Sequence, residues 1–505
     1  MAVDGGAIEG ARRRGASRSA RRSWALARAR SVPRGLWALL AVALVEAVVW
    51  CVVLPPLQGP DEISHFSYVQ KIAETGSIPW TSSEPSRPTS AYSEEVSVAG
   101  LCSGITALEQ NPSARAPASS VDEQACYAAL NRLPAGAASD GGYTSADKNP
   151  PLYYLYETVP YLLFHHSTFF TRSFVMRLAN IPFVLALVVF VWLLAGELLL
   201  GLPRGPALRA VATAAVVVNP QLTMLSATIN PDILLAAEWA AGLWLAVTIV
   251  RRGLTPVRAA WLVGVCVLAG FTQGRGLPLV AVAVLALAMV AWRARPRSRR
   301  QGAAAAAVVL AAVAAAVYLV LRYALRSDVT VSRTEGFLSY LWQFYLPRLG
   351  FMSPPIHPGY GVRQVFIDRF LGTFAQLEVS FSASTLSFLS RAAEVVAAMA
   401  LVGLVWHRRR LRRAWPVAAV LAVAALGYLA LLHAVAFSSL LTNSADPVIT
   451  GRYLLPLLAF YGVGIALALS WLPRRLCAVL SGATVAGLSV LQLSALAILL
   501  ERFYG

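Results

Sequence analysis

Charge is scarce in this sequence. Only 13% of its 505 residues are Asp, Glu, Lys or Arg, about half the share usual in soluble proteins. That deficit, with a mean hydropathy of +0.61, excludes a soluble globular enzyme, a disordered chain and a coiled coil. Lysine is nearly missing, with Lys71 and Lys148 alone. The five cysteines include no CxxC and no Cys/His spacing, which excludes a zinc ribbon. A Walker loop, a helix-opening GxGxxG and a GxSxG are also missing. The chain therefore has no nucleotide-binding domain and cannot use cytoplasmic ATP directly.

In place of charge there are apolar runs of about 18 residues or more, each long enough to cross a bilayer as a helix. Eleven are expected, near 35–55, 174–199, 208–227, 232–250, 258–273, 276–292, 303–323, 386–406, 415–437, 453–472 and 476–499. The formal net charge of +18 comes from arginine bursts between these runs, not from a nucleic-acid patch. With the N-terminus inside, the connections holding Arg204/Arg209, Arg251/Arg252, Arg293–Arg300, Arg408–Arg413 and Arg474/Arg475 all fall inside, as the positive-inside rule requires. The first run lacks a small-residue cleavage site and reads as a retained span. The expected fold is an all-α polytopic membrane protein in the cell membrane. It divides into a basic cytoplasmic tail (1–34), a transmembrane module (35–323) with an outer loop at 56–173, a second outer loop (324–385) and C-terminal helices (386–505). Segment 151–165 is too short to span and contains Pro160, so it reads as a juxtamembrane helix at the outer interface.

Cys51, Cys266 and Cys477 lie in apolar runs and read as packing residues. Cys102 and Cys126 share the first outer loop, where an extracytoplasmic position would let them form a disulfide.

The candidate chemistry gathers on the outer face. Asp61 and Glu62 follow Pro60 where the first span leaves the membrane, and His65 lies on their helical face. Such a set suits a helix start, a general base or a bound divalent cation. No cofactor follows from it, and the metal question stays open. Asn230 and Asp232 occupy the outer turn between the third and fourth runs. Gln273 and Arg275 sit at the outer side between two runs. Asp446 and Arg452 precede the tenth. Outward arginines break the charge rule and need partners, and a guanidinium fork suits a phosphate.

These motifs in this order resemble the GT-C superclass of integral-membrane glycosyltransferases. Protein O-mannosyltransferases and the aminoarabinose transferases of lipid A carry Asp-Glu in the first outer loop and Pro-Pro-Leu/Val on a juxtamembrane helix. Here these are PDEISHF and NPPLYY, with INPDILL similar to their second acidic site. The nearest likeness is to bacterial membrane proteins with an early P-D-E-x-x-H and a late G-R-Y-x-x-P, here Pro60-Asp61-Glu62 with His65 and Gly451-Arg452-Tyr453 with Pro456. The resemblance spans roughly Leu36 to Leu472. It implies a polyprenyl-phosphate-linked sugar as donor and a glycan, lipid or protein acceptor on the extracytoplasmic face. Asp61 is then the catalytic base, supported by Glu62 and His65. Arg275, Arg452 and Gln273 bind the donor phosphate. Asn230, Asp232, Asn149, Tyr153 and Asp446 shape the acceptor side. Asn149 stands where the O-mannosyltransferases have His, and their soluble sugar-binding domain has no counterpart here.

Two other classes compete: a lipid or polysaccharide transporter or flippase, and a non-catalytic envelope-assembly partner. Sparse mid-span polarity and the absence of a repeat between halves speak against the transporter, and the intact acidic pair speaks against the partner. The enzyme reading makes a geometric demand. Asp61, Asp232, Arg275 and Arg452 should line one cavity open to lipid, with Asp61 deepest. Helix 151–165 should form a wall, and Trp342, Phe344 and Tyr345 should form a partial roof.

Overall fold

The computed structural model describes residues 33–81, 92–102, 128–130, 132–133, 144, 146–293, 331–353, 360–376, 378–442 and 448–505. Helix follows helix through these residues. Regular strand among them is confined to an antiparallel pair of two-residue strands, Thr373–Phe374 and Val379–Ser380. The protein is an all-α polytopic membrane protein.

Eight helices among the described residues are long and apolar enough to cross a membrane, and a bent pair makes a ninth. In chain order the helices that position the site are α1 (Arg34–Val53), α2 (Glu62–Thr75), α3 (Leu152–Leu163), α4 (Phe169–Ala179), α5 (Ile181–Leu198), α6 (Gly205–Val217), α7 (Pro220–Ser226), α8 (Asp232–Arg252), α9 (Pro256–Thr272), α10 (Pro278–Arg293), α11 (Val331–Tyr345) and α12 (Trp415–Leu440). Ten of the eleven expected runs are helical. Helix α9 is short for a span, and run 303–323 lies outside the described residues.

Helix α8 is the central post: 89% of its apolar window is buried, against α5, α9, α10, α12 and the Gly451–Leu457 turn. The third expected run is broken. Helices α6 and α7 meet at 55° because Pro220 brings no backbone N–H to the ladder. Asn219 starts the second segment, its side chain accepting from Leu222 N at 3.0 Å.

Outside the bundle, α2 packs on α3 over a second apolar core of Phe66, Tyr68, Tyr154, Tyr161 and Phe169. Helix α3 has 12 residues, well short of a span. It buries Tyr153, Tyr154, Glu157 and Tyr161 and exposes Leu155, Val159, Leu162 and Leu163, the one-sided pattern of an interfacial helix.

Candidate active site

Asp61 precedes α2 with φ 58°, a left-handed conformation that Asp accepts more readily than most residues. Its side chain makes no capping hydrogen bond to the helix, so it is not spent on starting α2. It reaches across the fold to the guanidinium of Arg452, 391 positions later, and the two form an ion pair. The carboxylate side is 55% exposed and the arginine 8%. Arg452 Nη2 also donates to the Tyr453 hydroxyl at 3.3 Å. Its Nε and Nη1 are buried and make no hydrogen bond among the described residues.

Arg452 is brought here by a close backbone approach. A Cβ on Gly451 would stand 2.4 Å from the backbone N of Phe370, so only glycine lets the Gly451–Leu457 turn lie against that segment.

The second acid–arginine pair is built on α8. Asp232 Oδ1 meets Arg275 Nη2 at 2.5 Å, and Trp239 Nε1 donates to the Arg275 carbonyl at 3.2 Å. The Arg275 guanidinium lies 4.2 Å from the centre of the Tyr453 ring, and that of Arg452 lies 5.1 Å from it. One tyrosine thus carries both arginines. Tyr428 fixes it by donating to the Tyr453 carbonyl at 2.6 Å.

Asn230 links the acids. Its Nδ2 donates to the Pro60 carbonyl at 3.1 Å, and its Oδ1 accepts from Asp232 N at 2.9 Å. Its own N donates at 2.9 Å to the Tyr153 hydroxyl, which donates to Asn180 Oδ1 at 3.1 Å.

His65 is buried beside Asp61. The Tyr154 hydroxyl lies 2.8 Å from His65 Nδ1 and accepts from Asn149 Nδ2 at 2.9 Å. With that donor on its oxygen, the buried Tyr154 proton is satisfied by Nδ1, which leaves the ring N–H on Nε2.

Burial pushes His65 down to about 4, against the pull of the Asp61 and Asp232 carboxylates, so the ring is neutral at pH 7. For Asp61 desolvation acts upward, but the Arg452 charge, helped by His65 and Arg275, holds the carboxyl below its ordinary range. It is ionised.

Glu62 has a different fate from its neighbour. It is fully buried, with Arg177 donating Nε to Oε1 at 2.7 Å and Nη2 to Oε2 at 2.6 Å. Gly59 N and Ile229 N complete the set at 3.0 and 3.1 Å. Arg177 also donates Nη1 to the Leu54 carbonyl and Nη2 to the Pro55 carbonyl, at 2.7 and 2.8 Å. The Gly59 turn is tight enough that a Cβ there would meet Thr228 at 2.4 Å.

The four residues named for the geometric demand do converge through these contacts, but Asp61 is the most exposed of them and not the deepest. It sits at the start of a loop helix. Gln273 is half-buried and its Oε1 makes no hydrogen bond. Asp446 and Cys126, and with the latter the expected Cys102–Cys126 bridge, lie outside the described residues. The expected roof is elsewhere: Phe344 and Tyr345 of α11 pack on His433 of α12, and Tyr345 bonds it at 2.8 Å. Trp342 donates to the Pro347 carbonyl of its own segment at 2.9 Å. Among the described residues no group of three or more His, Cys, Asp or Glu is placed to hold a metal ion. Beside the Gln273–Gly276 turn, an apolar groove of about 460 Å³ runs between α9 and α10, lined by Val263, Phe271, Leu277 and Val284 with Trp80 from the outer loop.

A family model described as a predicted membrane protein (DUF2142) matches residues 44–461. The chain belongs to that family. No curated protein matches this DUF2142 chain. Among solved structures it is similar to the oligosaccharyltransferase of Archaeoglobus fulgidus in its apo form, with 12% identity and a TM-score of 0.45, over 92% of this chain and 56% of that one. A second similar structure is the same organism's oligosaccharyltransferase AglB with an inhibitory peptide and a dolichol-phosphate, with 13% identity and a TM-score of 0.43, over 92% and 55%. The DUF2142 chain spans little more than half the length of either.

Several residues that shape this site were not singled out from sequence. Arg177 carried a usable signal, an arginine near the outer end of a span, which needs a partner. Asn180 and Tyr428 carried none, and Tyr154 and Tyr453 entered only as letters of the NPPLYY and G-R-Y-x-x-P motifs, since a tyrosine in an apolar run reads as core.

Proposed function

We propose that this protein is a membrane glycosyltransferase that moves a sugar from a polyprenyl-phosphate donor to a hydroxyl acceptor at the extracytoplasmic face of the cell membrane. One observation carries the reading. A half-exposed, ionised carboxylate, Asp61, is paired with Arg452, which keeps two buried nitrogens unspent among the described residues and shares the Tyr453 ring with a second arginine. A buried charge held with donors to spare is a poor way to stabilise a fold. It is a good way to receive an anion with several oxygens.

In the reaction, the acceptor hydroxyl gives its proton to Asp61 and its oxygen attacks the anomeric carbon. The bond from that carbon to the donor phosphate oxygen breaks, and the phosphate leaves with the electron pair. A single displacement inverts the centre. Arg452 and Arg275 hold the charge that builds on the leaving oxygen. In the resting site Arg452 holds Asp61 too acidic to be a good base. A phosphate that draws Arg452 away raises the basicity of Asp61 at the moment a base is needed.

Glu62, with its bonds complete, acts as scaffold: it ties the Asp61 turn to α4 and to the outer turn before α8. His65 serves as a neutral, fixed neighbour. The apolar groove between α9 and α10, whose Phe271 and Leu277 flank the Gln273–Gly276 turn, supports a lipid-tailed donor. The arginine runs support a cytoplasmic N-terminus.

The test is transfer of labelled sugar from polyprenyl-phosphate sugars in membranes, wild type against Asp61→Asn. Transfer that requires Asp61 supports the reading; equal transfer by both proteins ends it.

A further inference from the structure

We propose that Gln58, Gln221 and Thr450 form a neutral pocket that recognises hydroxyl groups of the transferred sugar. This deepens the glycosyltransferase reading and rests on it. Gln58 and Gln221 are both 0% exposed, and among the described residues neither side-chain oxygen nor nitrogen of either makes a hydrogen bond. The Thr450 hydroxyl is buried and equally unspent. A buried amide or hydroxyl left unpaired destabilises a fold, and nearly all such groups in folded proteins find partners.

The three are not scattered. Gln376 Nε2 donates to the Leu57 carbonyl at 3.2 Å, and Ala375 N approaches Met224 Sδ at 3.0 Å. The segment before Asp61 and helix α7, which carries Gln221 and Met224, are thus held to the same hairpin. Helix α7 also packs on the Arg369–Leu371 turn, and that turn lies against the Gly451–Leu457 turn that follows Thr450. Gln221 stands beside the break in the third span, where irregular backbone at membrane depth lines a site rather than lipid.

Position and chemistry both point to a sugar. Gln58 is three residues before Asp61, and Thr450 is two before Arg452. An in-line displacement puts the sugar ring between base and phosphate, hence between these two stretches of chain. Amides and hydroxyls each donate and accept, as sugar hydroxyls do, whereas a phosphate at this pocket would find no charge to meet it.

The experiment uses the full chain in nanodiscs. Affinity is measured for undecaprenyl phosphate and for a panel of undecaprenyl-phosphate hexoses and pentoses. Wild type is expected to bind at least one sugar-bearing lipid about tenfold or more tighter than the bare lipid, the scale of one or two sugar hydroxyls recognised. Gln58→Leu and Gln221→Leu should each erase that preference and leave affinity for the bare lipid unchanged. Because each replaces an unpaired buried amide with an apolar group of similar size, their unfolding temperatures should hold or rise. Preference that survives both substitutions, equal weakening of bare and sugar-bearing lipids, the lack of any preference in wild type, or a fall in unfolding temperature in either variant overturns the pocket. The underlying reading fails differently, through bare-lipid affinity that Arg452→Ala leaves untouched.

Discussion

Asp61 and Glu62 are neighbours in sequence, each is paired with an arginine, and they do opposite things. Glu62 is sealed: each of its oxygens accepts two hydrogen bonds, and all three Arg177 nitrogens are engaged. Asp61 is half in water, and its arginine has donors in hand. The contrast separates a strut from a site by unfinished bonding rather than by the presence of an ion pair.

The sharpest break is Asp61→Asn, which keeps the left-handed backbone and the shape but removes the base. Transfer should fall by about 10²–10⁴-fold, the usual worth of a general base, with at most a small drop in unfolding temperature, because the half-exposed Asp61 makes a weak ion pair. Comparable loss of both would put Asp61 in the scaffold with Glu62.

Next is the reverse experiment. Glu62→Ala strands the Arg177 charge in the bundle and should cost about 3–5 kcal/mol of stability, read as a large drop in unfolding temperature or in yield of folded protein. Arg177→Met added to Glu62→Leu should recover much of that loss, since both charges are then gone. No recovery would mean that the pair does more than offset itself.

Smaller still is Arg452→Lys, which keeps the charge and loses the fork. Undecaprenyl phosphate should bind about 10–100-fold more weakly, the worth of one or two charge-assisted hydrogen bonds. The equivalent change Arg177→Lys should leave that affinity alone.

The smallest effect is a pH slope. His65 sits at about 4 in the fold and near 6.5 in the unfolded chain, so between those values the unfolded state binds the extra proton. Stability contributed by neutral His65 is then present at pH 7 and is lost as pH falls from about 6.5 towards 4. Unfolding temperatures measured at pH 7 and pH 5 should separate in wild type and draw together in His65→Phe. Asp61, depressed by Arg452, adds almost nothing between pH 7 and pH 5, because it is ionised there in the folded and the unfolded chain alike.

The sequence was most legible where a rule about solvent applied. The spans followed from apolar length, and Arg275 and Arg452 stood out because on the expected sidedness they break the arginine rule. Asp232 and Asn230 were visible as a polar break between two runs. What could not be read was the division of labour inside PDE, since local spacing puts Asp61, Glu62 and His65 on one helix face. The split depends on Asp61 turning left-handed and on Arg177, 115 positions beyond Glu62. The Tyr453 platform was hidden for a related reason: a ring that carries two cations and a ring that fills a core are the same letter in an apolar run. The roof expected from Phe344 and Tyr345 failed because His433, inside a span, offers both ring nitrogens to tyrosines of the outer helix.

The left-handed backbone at Asp61 also shapes which inherited changes can occur quietly. A β-branched or bulky residue held there costs about 1–2 kcal/mol, while asparagine and glycine fit. Both are one base away from either aspartate codon. Spontaneous alleles that leave the protein abundant but silent should therefore be drawn from that narrow pair, and a valine or alanine allele should lose protein along with activity. A population survey of this single codon would record the backbone angle as a bias in surviving mutations.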